Sequence, residues 1–327
     1  MVEILAPAGS YEALKTAINT GADAVYLGLC NFSARRNAKN FTEQELYEAA
    51  KLCRLSGVKL YLTLNTLVFD DELPELCKTV KIVEEAGVDA VIVQDLGVLS
   101  VVKEAGIKVH ASTQMTINSV SGAEAARELG FSRVVLAREL SFPEIAEIAS
   151  KVEIETEVFI HGALCVSVSG QCHMSAFFGS EAIRSANRGL CAQPCRLNFK
   201  TLKSEYTLSL KDLSIIKCIN ELEKAGVTSI KIEGRMKRPE YVAAAVEACI
   251  KSRKDAPYDE KTLKAIFSRG GFTDGYFTGK MCSMRGFRSR EDVLLTQNTL
   301  KNSKASSQKP EKCRKNNKSN NKKRQDI

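Results

Sequence analysis

No stretch of this 327-residue chain approaches the roughly 18 uninterrupted apolar residues that a membrane helix needs. Its opening, MVEILAPAGS, is not expected to act as a secretory leader: Glu3 stands where such a leader is basic, and the short apolar run stops at Pro7. Neither HExxH nor GxSxG occurs, which removes the zinc-peptidase helix and the serine-hydrolase elbow. A GxGxxG turn is missing too, which counts against an open dinucleotide-binding sheet. These absences lead us to expect a soluble cytoplasmic protein with no membrane partner. Thiols stay reduced there, so eleven cysteines, an odd number, are poor material for a disulfide framework.

What the chain does have is sulfur in one place. Six residues separate Cys165 from Cys172, eighteen separate Cys172 from Cys191, and three separate Cys191 from Cys195. His161, His173 and several glycines share this stretch, and no pattern of helix or strand burial asks for such a mixture. Four soft donors converging from one loop suit an iron-sulfur cluster or a structural zinc, and the two histidines keep a mixed zinc site open. The other seven cysteines are scattered, and those in helical patterns read as small buried hydrophobes.

A repeated phrase sets the fold class. In NTGADAVYLG, LSGVKLYLTLN, EAGVDAVIVQD, EAGIKVHAS, ELGFSRVVLARE and KAGVTSIKIEG, a helical pattern ends in Gly and an apolar strand follows at once. Each Gly fits a left-handed helix cap, and each apolar run fits a parallel strand buried on both faces. With strands at 2–5 and 154–160 added, the count reaches about eight, which predicts an α/β, TIM-like (β/α)8 barrel over residues 1–255. The remaining strands are expected near 23–28, 58–64, 89–93, 107–110, 132–136 and 228–232. Helices are expected near 10–20, 42–56, 72–86, 96–105, 119–129, 141–150, 211–225 and 238–252. A cysteine-rich loop, 161–200, leaves the seventh strand, and a C-terminal extension runs over 256–300.

Active sites of such barrels lie where the strands end. The polar residues there are Asn65, Gln94, Asp95, His110, Ser112, Thr113, Gln114, Arg138, Glu139, His161, Glu233 and Arg235. Glu157 and His161, four apart on one strand, would face the same side as an acid and base pair, with His110 a further catalytic candidate. Asn65, Gln114, Arg138, Glu233 and Arg235 are candidate substrate contacts, joined by Arg184 and Arg188 from the cysteine loop. Each has a plainer reading: Asp95 as a helix cap, His110 as a core imidazole, Arg138 with Glu139 as a structural ion pair. Ser169 has no neighbouring His that the sequence identifies as its base.

Charge is uneven. Residues 301–327 hold ten Lys or Arg against two acids, a net of 10 − 2 = +8, equal to the charge of the whole chain. That tail is expected to be disordered and either to attach loosely to nucleic acid or to act only as a solubilising end.

EVFIHGALCVSVSGQCHMS resembles the signature of the collagenase-like peptidase family U32, and MVEILAPAGSYEAL, FSARRNAKNF, RGLCAQPCR, SLKDLS and IKIEGRMKRPEYV resemble further blocks of it in the same order. The resemblance covers roughly residues 1–280. Besides proteins named for collagen degradation, it implies proteins needed to hydroxylate bases of ribosomal and transfer RNA, and relatives that hold a [4Fe-4S] cluster. Cys165 and Cys172 fall on the signature cysteines and Cys191 and Cys195 on the later pair. Relatives vary in the fourth ligand, for which Cys30 or Cys218 are substitutes for Cys195. The resemblance thus implies an iron-sulfur protein acting on rRNA or tRNA, with an unidentified electron donor. A peptidase with a peptide substrate and a zinc-stapled RNA-binding module are the alternatives.

Overall fold

The computed structural model describes residues 1–307 apart from 37, 179–183 and 203. Ten strands occur in it: β1 Glu3–Pro7, β2 Ala24–Gly28, β3 Lys59–Leu64, β4 Ala90–Val93, β5 Val109–Ala111, β6 Arg133–Val135, β7 Glu155–Ala163, β8 Asp212–Ser214, β9 Ser229–Ile232 and β10 Phe272–Thr273. The helices are α1 Tyr11–Thr20, α2 Glu43–Ser56, α3 Leu73–Ala86, α4 Leu96–Glu104, α5 Val120–Glu128, α6 Phe142–Lys151, α7 Met174–Phe177, α8 Ile219–Lys224, α9 Pro239–Arg253, α10 Glu260–Ile266, α11 Gly275–Thr278 and α12 Arg290–Ser307. Strands β1 to β7 pair in order and in parallel; β9 then pairs with both β7 and β1 and closes an eight-stranded ring. The protein is a TIM-like α/β barrel.

The six glycines of the repeated phrase, Gly21, Gly57, Gly87, Gly106, Gly130 and Gly226, all have positive φ. That conformation ends each helix and turns the chain into the next strand at little steric cost. Between helices and sheet lies the main apolar core, whereas the barrel interior holds only a small apolar group of Leu5, Ala24, Tyr26, Tyr61, Ala90 and Ile92. Charged side chains fill the rest of that interior.

One expected helix is corrected. The segment 211–225 is not helical from its start, because β8 first runs antiparallel to the end of β7 and only then does α8 begin. Strand β7 is nine residues long and passes beyond the barrel rim. Its projecting edge carries unpaired backbone groups that β8 satisfies. β10, from the C-terminal extension, pairs in turn with β8. The tail expected to be disordered from residue 301 begins inside α12, and 308–327 lie outside the described residues. Among the described residues no helix is long and apolar enough to cross a membrane.

Candidate functional site

A ladder of buried charge runs up the barrel axis. Near the closed end Glu3 accepts from Arg133 at 2.6 Å and from Lys59 at 3.0 Å. Arg133 also reaches Glu157 at 3.2 Å, and Glu157 accepts from Lys231 Nζ at 2.8 Å. Burial works against the Glu157 carboxylate, but Lys231 and Arg133 outweigh it and hold its pKa below the ordinary value. Lys231, over the faces of Tyr26 and Phe159, forms the floor of the open end.

Above this floor stand the strand-end residues. Arg235 is buried and donates to Ser33 Oγ at 2.7 Å and Thr63 Oγ1 at 3.0 Å. Burial lowers its pKa to about 10. Glu233 pairs with Arg35 at 3.1 Å. Burial opposes its ionisation, yet Arg35, Arg138 and Arg235 together keep its pKa low. Asn65 accepts from the Ala34 amide at 3.0 Å and donates to Ser112 at 3.3 Å, while Gln114 donates to the Asn65 carbonyl at 2.5 Å. Arg138 lies over the Phe159 ring, 5.7 Å from its centroid.

The cysteine loop folds back over this mouth and is stapled around the rim. Ser169 donates to Glu139 at 2.9 Å and accepts from the Arg138 amide at 3.2 Å. Gln94 donates to the Asn187 carbonyl at 3.0 Å. Arg188 grips Glu72 at 2.5 Å and stacks on Phe69. Beneath the loop lies a cavity of about 140 Å³, lined by Cys165, Cys172, Cys191 and Cys195 together with Asn65, Gln114, Arg138, Lys231, Glu233 and Arg235. All four cysteines are free and half-buried. Burial raises the Cys195 thiol; Arg196 pulls against this, while Cys165, Cys191 and Cys172 push it further up. Cys191 Sγ accepts from the Gln193 amide at 3.4 Å, and the Ser175 hydroxyl stands 3.9 Å from it. Among the described residues no three His, Cys, Asp or Glu side chains are grouped so as to hold a metal ion as they stand.

The loop's seat depends on Gly170, whose φ is +76° and whose added Cβ would stand 2.0 Å from the Gln114 carbonyl oxygen. Gly170→Ala is expected to lift the loop at a cost of about 1–3 kcal/mol of local strain. That corresponds to roughly five- to 150-fold faster proteolysis within the loop, with the barrel's melting unchanged. Equal cleavage rates in both proteins would refute the seating.

Several expected site residues lie elsewhere. Glu157 and His161 do not form a pair: the β7 ladder shifts register between Phe159 and His161. A bulge breaks the period of two, so Glu157 points into the barrel and His161 stacks outside on Tyr241 and Phe272. Burial lowers the His161 pKa to about 3, leaving the ring neutral. His110 is likewise buried, edge-on to Tyr61, with its pKa lowered to about 3 by burial. Arg188 does not line the cavity, since its guanidinium serves Glu72. Arg184 is exposed beside the undescribed 179–183. Asp95 caps α4 through Gly97 and Val98. Cys30 and Cys218, the substitutes for the fourth ligand, do not line the cavity. Among the scattered cysteines Cys53 and Cys249 are buried, but Cys77 on α3 is exposed, a correction to its reading as core; Cys313 lies outside the described residues. Sequence reasoning singled out neither Lys231 nor Arg35 as a site residue. The signal for Lys231 was present: a charge within the apolar run SIKI, two residues before Glu233 and so on the same face.

Comparison with known proteins places this geometry among relatives. Residues 9–284 match the sequence profile of Peptidase family U32. The chain is 38% identical over 314 residues to a "Collagenase" of Porphyromonas gingivalis, covering 85% of this chain and 74% of that protein. It is 37% identical over 260 residues to "tRNA hydroxylation protein P1" of Bacillus subtilis, covering 75% and 61% respectively. It is 40% identical over 278 residues to "23S rRNA 5-hydroxycytidine C2501 synthase" of Escherichia coli, covering 82% of this chain but 42% of that one.

Proposed function

The chain belongs to peptidase family U32, and from that footing we propose that it acts in hydroxylating a base of tRNA or rRNA, with a [4Fe-4S] cluster held by Cys165, Cys172, Cys191 and Cys195. The observation that carries this reading is that one loop brings all four thiols to the cavity formed by the polar strand ends. The donor set fits the group. Thiolates are the usual ligands of such clusters, and amide donors to sulfur, like that of Gln193 to Cys191, tune their potential. Neither His161 nor His173 lines the cavity, so its sulfur donors stand without imidazole, the donor set that such clusters take. When bound, the cluster would supply electron transfer.

The protein's own groups do the rest. Arg35, Arg138, Lys231 and Arg235 face one carboxylate, Glu233, so the cavity favours a substrate rich in acceptor oxygens. Lys231 keeps ammonium protons free of Glu157 to hold such an oxygen at the floor. Asn65 and Gln114 offer amides for the edge of a base. The covered mouth requires that base to be single-stranded or turned out of its helix.

The peptidase reading has the name of the P. gingivalis relative behind it. The site offers it little: both barrel histidines are buried and neutral, and Ser169 is bound to Glu139 with no imidazole beside it. Nucleoside analysis of tRNA and rRNA from a deletion strain tests the proposal. A hydroxylated pyrimidine should disappear and return with the parental gene, but return at under a tenth of its level with Lys231→Met. An unchanged nucleoside profile would sink the reading and bring proteolysis forward.

A further inference from the structure

Outside the barrel, beyond the exit of β9, three cations gather round one aromatic ring. Lys237 Nζ lies over the Phe267 ring, and the guanidinium carbons of Arg288 and Arg269 stand 4.5 Å and 5.5 Å from the same centroid. They arrive from three separate segments: the loop after β9, the approach to β10 and the approach to α12. Asp212 is bonded to Arg269 through one oxygen at 2.5 Å while its Oδ2 has no partner, and Asp292 acts on Arg288. Among the described residues the Lys237 ammonium meets aromatic rings and no carboxylate. Arg288 donates through Nη2 to Thr296 Oγ1 at 3.0 Å, but its Nε is buried without a partner. Burial pushes the Lys237 pKa down to about 7, and Arg269 and Arg288 push the same way against the pull of Asp212.

Three cations thus meet two carboxylates, Asp212 and the half-buried Asp292, and like charges are held together by the fold. An anion with several oxygens would relieve both, since guanidinium and ammonium groups bind phosphate through short charge-assisted hydrogen bonds. We infer that Lys237, Arg269 and Arg288 form a phosphate-binding subsite that takes a backbone phosphate of the RNA whose base enters the mouth. The RNA part of this inference rests on the function proposed above. The subsite adjoins the mouth: Lys237 is two residues past Arg235, and Tyr241, stacked beside Lys237, donates to the Glu233 carbonyl at 3.0 Å.

The test begins with inorganic phosphate. The thermal midpoint of the full-length protein should rise in phosphate over chloride at equal ionic strength, and Lys237→Gln and Arg288→Gln should each abolish the rise. In chloride alone Lys237→Gln should melt no lower than the parent, whereas a cation that merely clamped the extension to the barrel would be missed. With a single-stranded RNA oligonucleotide, the slope of log affinity against log salt should fall by about one in Lys237→Gln. A midpoint indifferent to phosphate, or a rise kept in both variants, would overturn the subsite. A rise lost with the RNA slope unchanged would overturn RNA as the source and leave a site for a free phosphate. Nucleoside analysis of the deletion strain decides the preceding function separately, whichever way these measurements fall.

Discussion

Protein purified without oxygen should carry about four irons and four acid-labile sulfides per chain, with a broad visible absorption band. Cys165→Ala, Cys172→Ala and Cys191→Ala should each reduce both contents by more than tenfold. Each removes one of four thiols around a single cavity, and a cluster left with three is open to solvent and oxidation. Cys195→Ala should do the same, because neither Cys30 nor Cys218 lines the cavity. Cys77→Ala, on an exposed helix position, serves as the control and should leave the content intact. Full iron and sulfide in Cys172→Ala would refute the ligand assignment. Zinc without sulfide in the parent would defeat the redox reading and restore the zinc-stapled and hydrolytic alternatives.

The second large effect concerns the barrel axis. Arg133→Met removes the cation shared by Glu3, Glu155 and Glu157. Stripping one partner from a buried ion network costs about 3–5 kcal/mol, against a total stability on the order of 5–15 kcal/mol. Chemical denaturation should show that loss, and pairing the change with Glu157→Gln should recover part of it, since the stranded charge is then gone. A loss below about 1 kcal/mol would mean that the ladder does not hold the barrel together.

The same groups set the response to acid. Burial opposes the Glu3 carboxylate, but Arg133 and Lys59 hold its pKa at about 2 against an ordinary 4.5. A carboxyl depressed in the fold stabilises fully above its unfolded pKa, and that contribution fades as pH falls from about 4.5 towards 2. His110 and His161 act in the same direction over a higher window. Burial holds both near 3 against 6.5, so the unfolded chain takes up the proton first. The thermal midpoint should therefore begin to drop below about pH 6.5 and fall more steeply below about 4.5. A midpoint constant between pH 6.5 and 4 would show that the buried imidazoles contribute nothing to the response.

The barrel was legible because its signals are local. A glycine that must take positive φ ends each of six helices, and a run of apolar residues follows, so a period in the chain maps directly onto a period in space. Most of the cavity was legible too, since Asn65, Gln114, Arg138, Glu233 and Arg235 follow their strands immediately and the topology places strand ends on one face. Arg35 and Arg188 were harder. Both lie in loops, where neighbouring residues in sequence say little about direction, and one turned inward to Glu233 while the other turned outward to Glu72.

The sequence by itself determined an eight-stranded barrel, a loop with four clustered thiols and the polar residues at the barrel's open end, because helix caps, strand burial and cysteine spacing are written in contiguous residues. Only the tertiary structure decided which of those residues meet. One bulge in β7 separated His161 from Glu157, and the closure of β9 onto β1 set Lys231 beneath the cysteine loop. Register and closure depend on partners distant in the chain, and no local period encodes them.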